Sequence, residues 1–343
     1  MKVLAIGAGD IAMHHAEAIE RLDGQMIGVF DVSEKNSAKF SATYNCPVIT
    51  YEQIPEYVPQ ADYVLLTTPP TKRLDYVEMV LSQHVPLYME KPIAATMEDA
   101  YKLRDMAEKY DGNIIVNFAH FYRPPFQKML EIIESGQLGD PVSIIIDRQG
   151  PAYGFRDSKL PPSWRTDPNL ACGMTVESLS HEWKLMTAMA GSFKHIACNT
   201  NSTVEDLPQY DNISNVTVRF KNGASGAVVA SWATDISHSI RGFVGTKGSV
   251  MMYGEGMFEY DWVKWKTSDM PKPEIIEFKD SYKFATTDVL WNVHKHFQEC
   301  LKEGKPNRSP LEDGISALEY SLAAVKSSKE GITVPVGDWG KGE

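Results

Sequence analysis

Three groups of residues have the types and spacing to do chemistry. Glu177 and His181, in the run Gly173-Met174-Thr175-Val176-Glu177-Ser178-Leu179-Ser180-His181, are four apart. On one helix that spacing puts both on one face, where a carboxylate one turn before an imidazole orients it and favours its protonated form. Histidine titrates near neutral pH, so the pair suits general-base work. Glu90-Lys91-Pro92, after the apolar run Pro86 to Met89, offers a cation held stiffly between a carboxylate and a proline. Gly7-Ala8-Gly9-Asp10-Ile11-Ala12, after Val3 to Ile6, is a glycine turn opening a helix. There backbone approaches phosphate closely, and free N–H groups and the helix dipole hold it.

The glycine turn has a partner. Asp31 stands 24 residues beyond Gly7, at the end of the second apolar run. A carboxylate there accepts both ribose hydroxyls of a dinucleotide and repels a 2′-phosphate, so the expected cofactor is NAD. Thr67-Thr68-Pro69-Pro70 and Glu90-Lys91 follow further strand candidates. The carboxyl ends of parallel strands are where doubly wound sheets place their ligands.

These groups need elements to position them. Strand candidates Val3 to Ile6, Met26 to Phe30, Tyr63 to Thr67, Pro86 to Met89 and Ile114 to Val116 alternate with helix patterns at Ala12 to Leu22, Lys35 to Tyr44, Arg73 to Gln83 and Met97 to Tyr110. That alternation predicts βαβ units and a Rossmann-type doubly wound parallel sheet in residues 1–120. From about Val142 the strands lengthen and alternate, with hairpin signals at Lys221-Asn222-Gly223 and Gly245-Thr246-Lys247-Gly248. Residues 121–343 are expected to form an α+β domain with an open, mostly antiparallel sheet, closed by helices near Val289 to Leu301 and Leu311 to Ser327. The fold class is α/β overall.

Composition narrows the partners. With 343 residues the chain is long enough for two cores, and a net charge of −11 with no basic patch argues against nucleic acid or an anionic membrane surface. Cys46, Cys172, Cys198 and Cys300 form no C-x-x-C pair, and His181-Glu182 lacks the second histidine of a zinc protease, so no metal is expected. Val3 to Ile6 is too short for a signal-peptide core and no run approaches about 18 apolar residues, which predicts a cytoplasmic chain.

Taken together, Gly7-x-Gly9-x-x-Ala12, Asp31, Thr68-Pro69, Glu90-Lys91-Pro92, Gly136-x-Leu138-Gly139-x-Pro141, Trp164-Arg165, the Gly173 to His181 helix start, Phe220-x-Asn222-Gly223 and Gly245-Thr246-Lys247-Gly248 resemble the Gfo/Idh/MocA family of sugar and cyclitol oxidoreductases. The resemblance covers nearly the whole chain. It implies NAD contacts at Gly7, Gly9, Asp10, Ile11, Asp31, Thr67, Thr68, Pro69, Pro70, Glu90, Lys91 and His120. It makes Lys91 the lysine that orients the reacting hydroxyl, and His181 the acid/base. Glu177 falls where many members have Asp, and Lys184, Arg73 and Ala119-His120 also depart from common family residues. Arg123, Tyr153, Trp164 and Arg165, with Lys91 and His181, are candidates for gripping a sugar. The resemblance further implies a homodimer or homotetramer formed through the open sheet. An NAD-assisted glycosidase with no net redox change and a non-catalytic NAD(H) sensor remain alternatives on the same scaffold.

Overall fold

The computed structural model of the chain describes residues 1–153, 155, 163–167, 172–278 and 286–337. They form two units, Met1–Ala119 with Thr286–Ile315, and His120–Ala285 with Ser316–Glu343. Packing thus adds a second crossing to the expected division into 1–120 and 121–343. Residues 286–315 return to the first unit, because the amphipathic helix Thr286–Glu303 packs its buried side chains, Val289, Leu290, Val293 and Phe297, with that unit.

In the first unit the order is β1 (Lys2–Ile6), α1 (Asp10–Glu20), β2 (Gln25–Phe30), α2 (Glu34–Tyr44), α3 (Ile54–Tyr57), β3 (Tyr63–Leu66), α4 (Leu74–Leu81), β4 (Leu87–Met89), α5 (Met97–Lys109) and β5 (Ile114–Val116). The five strands pair in parallel in the order β2-β1-β3-β4-β5. Every residue of β3, β4 and β5 is buried, as a parallel sheet covered on both faces requires. Chain direction away from β1 reverses between β2 and β3, so the loops after β1, β3 and β4 open at a switch point. Ser33 and Thr96 cap α2 and α5 by accepting from the N–H groups of Asn36 and Asp99, which ends the loops that precede them.

In the second unit α6 (Pro124–Glu134) leads to β6 (Pro141–Gln149), then α7 (Ser163–Thr166), α8 (Met174–Glu177) and α9 (Leu179–Ala190). β7 (Phe193–Asn201), β8 (Ile213–Phe220), β9 (Ser225–Ser231), β10 (His238–Gly245), β11 (Gly248–Gly254), β12 (Trp262–Thr267) and β13 (Glu274–Glu277) follow. After α10 (Thr286–Glu303), α11 (Leu311–Glu330) leads to β14 (Val334–Pro335). The sheet order is β13-β12-β11-β10-β6-β9-β8-β7-β14, and only β6 and β9 pair in parallel. In β8 buried residues alternate with more exposed ones, the pattern of a sheet with one covered face. α9 packs that face, where the Trp183 Nε1–H donates to Ser321 of α11 at 2.8 Å. No helix among the described residues is long and apolar enough to cross a membrane.

Candidate functional site

The loop between β1 and α1 is shaped for a dinucleotide. Gly7 has φ +104°, and a Cβ there would stand 2.5 Å from the Thr67 hydroxyl, so only glycine fits. A Cβ on Gly9 would point into open space, which leaves the backbone bare where a phosphate must approach. Gly9 offers no side-chain cap to α1, so the amides of Asp10 and Ile11 remain available to an anion. Asp31 accepts from the Ala8 N–H at 2.6 Å and the Ser33 N–H at 2.7 Å, which fixes its carboxylate at the end of β2. The Thr67 hydroxyl donates to the Gly7 carbonyl at 3.1 Å, and the buried Thr68 hydroxyl has no hydrogen-bond partner among the described residues. Pro69 leads into a single 3-10 turn, Pro70–Lys72. The bare amides, the orphaned hydroxyl and the fixed acid together fit NAD. NAD should bind at least about tenfold more tightly than NADP, because the 2′-phosphate meets an anion held in place. Fluorescence titration of both cofactors checks this, and equal affinities would remove the assignment of Asp31.

Behind Lys91 in the same unit lies a buried chain of hydrogen bonds. Glu90 Oε1 accepts from His15 Nε2 at 2.8 Å and from Asn117 Nδ2 at 2.6 Å, while Oε2 accepts from the Lys91 N–H at 3.0 Å. His15 Nδ1 meets His294 Nε2 at 2.8 Å, and His294 Nδ1 meets the Tyr63 hydroxyl at 3.1 Å. A carboxylate only accepts, so neutral tautomers follow in one order: Tyr63 donates to His294, His294 to His15, and His15 to Glu90. A proton added to His15 reverses the first two bonds without losing either. Burial alone would raise the Glu90 pKa, but the hydrogen bond and charge of His15, the charge of Lys91 and the Asn117 amide outweigh it and hold the carboxyl at about 2. Burial, then His15, presses His294 well below the usual imidazole range. Arg73 completes the frame by donating from Nε to the Thr68 carbonyl at 3.0 Å and from its terminal nitrogen to the carbonyls of Glu90 and Pro92, across the cis Lys91-Pro92 bond.

The imidazole expected as acid/base lies in the second unit. His181 lies in the first turn of α9, and its ring stacks on that of His120 with centroids 4.4 Å apart and planes at 12°. Burial, followed by the charges of His181, Arg123, Arg241 and Arg148, keeps His120 neutral. His120 thus belongs to the second unit, beside the expected acid/base. The Gly173 to His181 run is not one helix, which corrects the spacing argument. α8 ends at Glu177 and α9 begins at Leu179, because the Ser180 hydroxyl donates to the Glu177 carbonyl at 3.2 Å and competes with the helical ladder. The Glu177 carboxylate instead takes Arg165, at 2.5 Å. Those two candidates are therefore brought together. Asp211 anchors the start of α8 by accepting from the backbone and hydroxyl of Thr175, at 3.0 and 2.7 Å.

The remaining candidates divide. Arg123 is fully buried, donates to the Phe258 carbonyl and lies 4.5 Å over the Tyr260 ring. Tyr153 is partly exposed, edge-on to Trp232 at 5.8 Å. The side chain of Trp164 lies outside the described residues. Lys184 sits 4.4 Å over Phe121. Sequence reasoning missed His15, His294, Asn117, Arg148, Glu182 and Arg241. Only Arg148 left a trace, as a charge on the same alternation as the apolar Ile144 and Ile146.

Residues 1–118 match the oxidoreductase family with an NAD-binding Rossmann fold, and residues 131–336 match its C-terminal α/β domain. The chain is 25% identical to glucose-6-phosphate 3-dehydrogenase of Bacillus subtilis over 169 residues, 49% of this chain and about half (47%) of the relative. To myo-inositol 2-dehydrogenase of Thermotoga maritima it is 24% identical over 352 residues, covering 96% of this chain and 97% of the relative. A levoglucosan dehydrogenase solved with NADH and levoglucosan superposes with a TM-score of 0.86 at 17% identity, over 98% of this chain and 99% of that one, which speaks to the fold. With both domains matched, the chain is an NAD-binding oxidoreductase of the Gfo/Idh/MocA family.

Proposed function

We propose that the protein oxidises a ring hydroxyl of a sugar, glycoside or cyclitol with NAD. The observation that carries this reading is the stacked imidazole pair of the second unit. His181, the proposed acid/base, lies ring on ring with His120, whose own protonation burial and the neighbouring charges disfavour. NAD, when bound, supplies the two-electron acceptor. The proposed acceptor of the hydroxyl proton is His181, and the cation proposed to ease its loss is Lys91, the roles that the family resemblance implies. Glu90, tied on both oxygens, holds the Lys91 backbone in register. The inositol and glucose-phosphate dehydrogenases among its relatives act on compounds of this class. Incubation with NAD and a panel of sugars, inositols and glycosides, followed by NADH absorbance and product mass, tests it. Product without NADH would favour the glycosidase, and no turnover of any member would overturn the reading.

The uncovered face of the nine-stranded sheet is the surface proposed for self-association. Ile145, Met251 and Ile275 lie in one row across β6, β11 and β13 and are 46%, 43% and 53% exposed. A second copy can bury such a row. Light scattering at micromolar concentration should give a dimer or tetramer, and Met251→Asp should shift it toward monomer. A monomeric wild type would remove the proposal.

A further inference from the structure

The inner face of the second unit carries more buried cation than its carboxylates use. Arg148 on β6 and Arg241 on β10 are both fully buried. The register sets Ser239 opposite Arg148 and Ile146 opposite Arg241, so both guanidinia rise from one face of the sheet. Glu182, the residue after His181, meets them there. Its two oxygens take Arg241, through Nε at 3.2 Å and through a terminal nitrogen. Arg148 is left 3.6 Å from the same carboxylate, beyond a hydrogen bond. Among the described residues none of its three nitrogens has a hydrogen-bond partner, although all are buried.

A guanidinium does not escape by losing its proton, and a buried one with five unused N–H groups is costly unless an anion completes it. Its surroundings are polar on one side and aromatic on the other. The guanidinium lies 5.3 Å over the Phe258 ring, Phe258 meets the edge of His120 at 5.3 Å, and His120 stacks on His181. Tyr260, with Arg241 5.0 Å over its ring, and His120 each hold a buried polar atom with no hydrogen-bond partner, the hydroxyl and Nδ1. Arg148 and Arg241 against Glu182 leave one positive charge, and Arg123, fully buried with its guanidinium 4.5 Å over the same Tyr260 ring, adds a second. The planar fork of one guanidinium matches a carboxylate two bonds at a time, and a phosphate ester in the test separates that ligand from a dianion.

We propose that Arg148 binds the carboxylate of the substrate, assisted by the Tyr260 hydroxyl and His120 Nδ1, and that the substrate class is therefore sugar acids. This rests on the dehydrogenase reading and narrows it. The test compares matched pairs, glucuronate with glucose and galacturonate with galactose, and adds glucose 6-phosphate. With NAD, the acid of at least one pair should exceed its neutral partner by roughly 10- to 100-fold in kcat/KM, as a charge-assisted paired hydrogen bond gives. Arg148→Met should collapse that ratio toward one, with circular dichroism and NADH binding as the check on folding.

A second measurement needs no turnover and no variant. With NADH saturating, the acid should raise the melting temperature of the wild-type protein and its neutral partner should not. Equal shifts, or preference for the neutral sugar or the phosphate ester, overturn the proposal and leave Arg148 to buried water. If no compound gives NADH, the dehydrogenase reading fails by itself, and the melting shifts still decide what Arg148 holds.

Discussion

His181→Ala should lose about 10²- to 10⁴-fold in turnover while binding NADH within a few-fold of the wild type, because the interaction removed is made in the transition state. Lys91→Ala should fall by a similar factor and also raise KM, since on the proposed mechanism the ammonium binds the hydroxyl before it reacts. Glu177→Gln should be milder. Its carboxylate holds Arg165 of α7, so its loss frees that guanidinium and leaves His181, the proposed proton acceptor, in place. Steady-state kinetics on the three variants, with NADH titrations in parallel, separates these effects. Full turnover in His181→Ala would falsify the base assignment.

The Glu90 chain should show itself as a dependence of stability on acid. Between an ordinary glutamate pKa near 4.5 and the folded value of about 2, the unfolded chain binds a proton that the folded protein refuses. The stabilisation is therefore complete above pH 4.5 and is lost as pH falls toward 2, and it amounts to something on the order of 3 kcal/mol. His294 works in the same direction at higher pH. It is held neutral when folded, so the unfolded chain takes up its proton first once pH drops below 6.5. Melting temperature against pH should fall in both ranges for the wild type. Glu90→Gln should lack the lower one, and His294→Gln should flatten the upper one. Glu90→Gln should also melt lower at pH 7, by about 1 to 3 kcal/mol, because an amide cannot accept from His15, Asn117 and Lys91 together. An unchanged acid limb in Glu90→Gln would show that the carboxylate does not carry this stability.

Local signals made the first unit legible, and long-range ones were out of reach. Apolar runs separated by helix patterns give β1 to β5, and the glycine turn with Asp31 gives the dinucleotide loop, because each needs only a few adjacent residues to declare itself. The two hairpins were legible for the same reason. Glu177 and His181 were misread as one helical face. Ser180, between them, turns its hydroxyl on the backbone, and the residue that takes Glu177 stands 12 positions earlier. The direct partners of Glu90 come from α1 and the loop after β5, the next member of the chain, His294, comes from α10, and nothing in the spacing of a lone histidine announces such a meeting. Arg148 is the instructive case. Its place on the buried alternation of β6 was visible, but what a buried cation needs is decided by Glu182, Arg241 and Phe258.

The bond between His15 and His294 joins residues 279 positions apart, across the whole of the second unit's main segment. A ribosome adding about 5 to 20 residues per second needs roughly a quarter of a minute to a minute to cover that distance. During that time the nascent nucleotide unit has its strands and α1 but not the helix that buries His15. It waits with a polar core group unpaired and an apolar helix face exposed, the kind of surface that chaperones shield. A gene cut after residue 119 would make that waiting permanent. The cofactor-binding half can therefore be finished only by a ribosome that has nearly finished the other half.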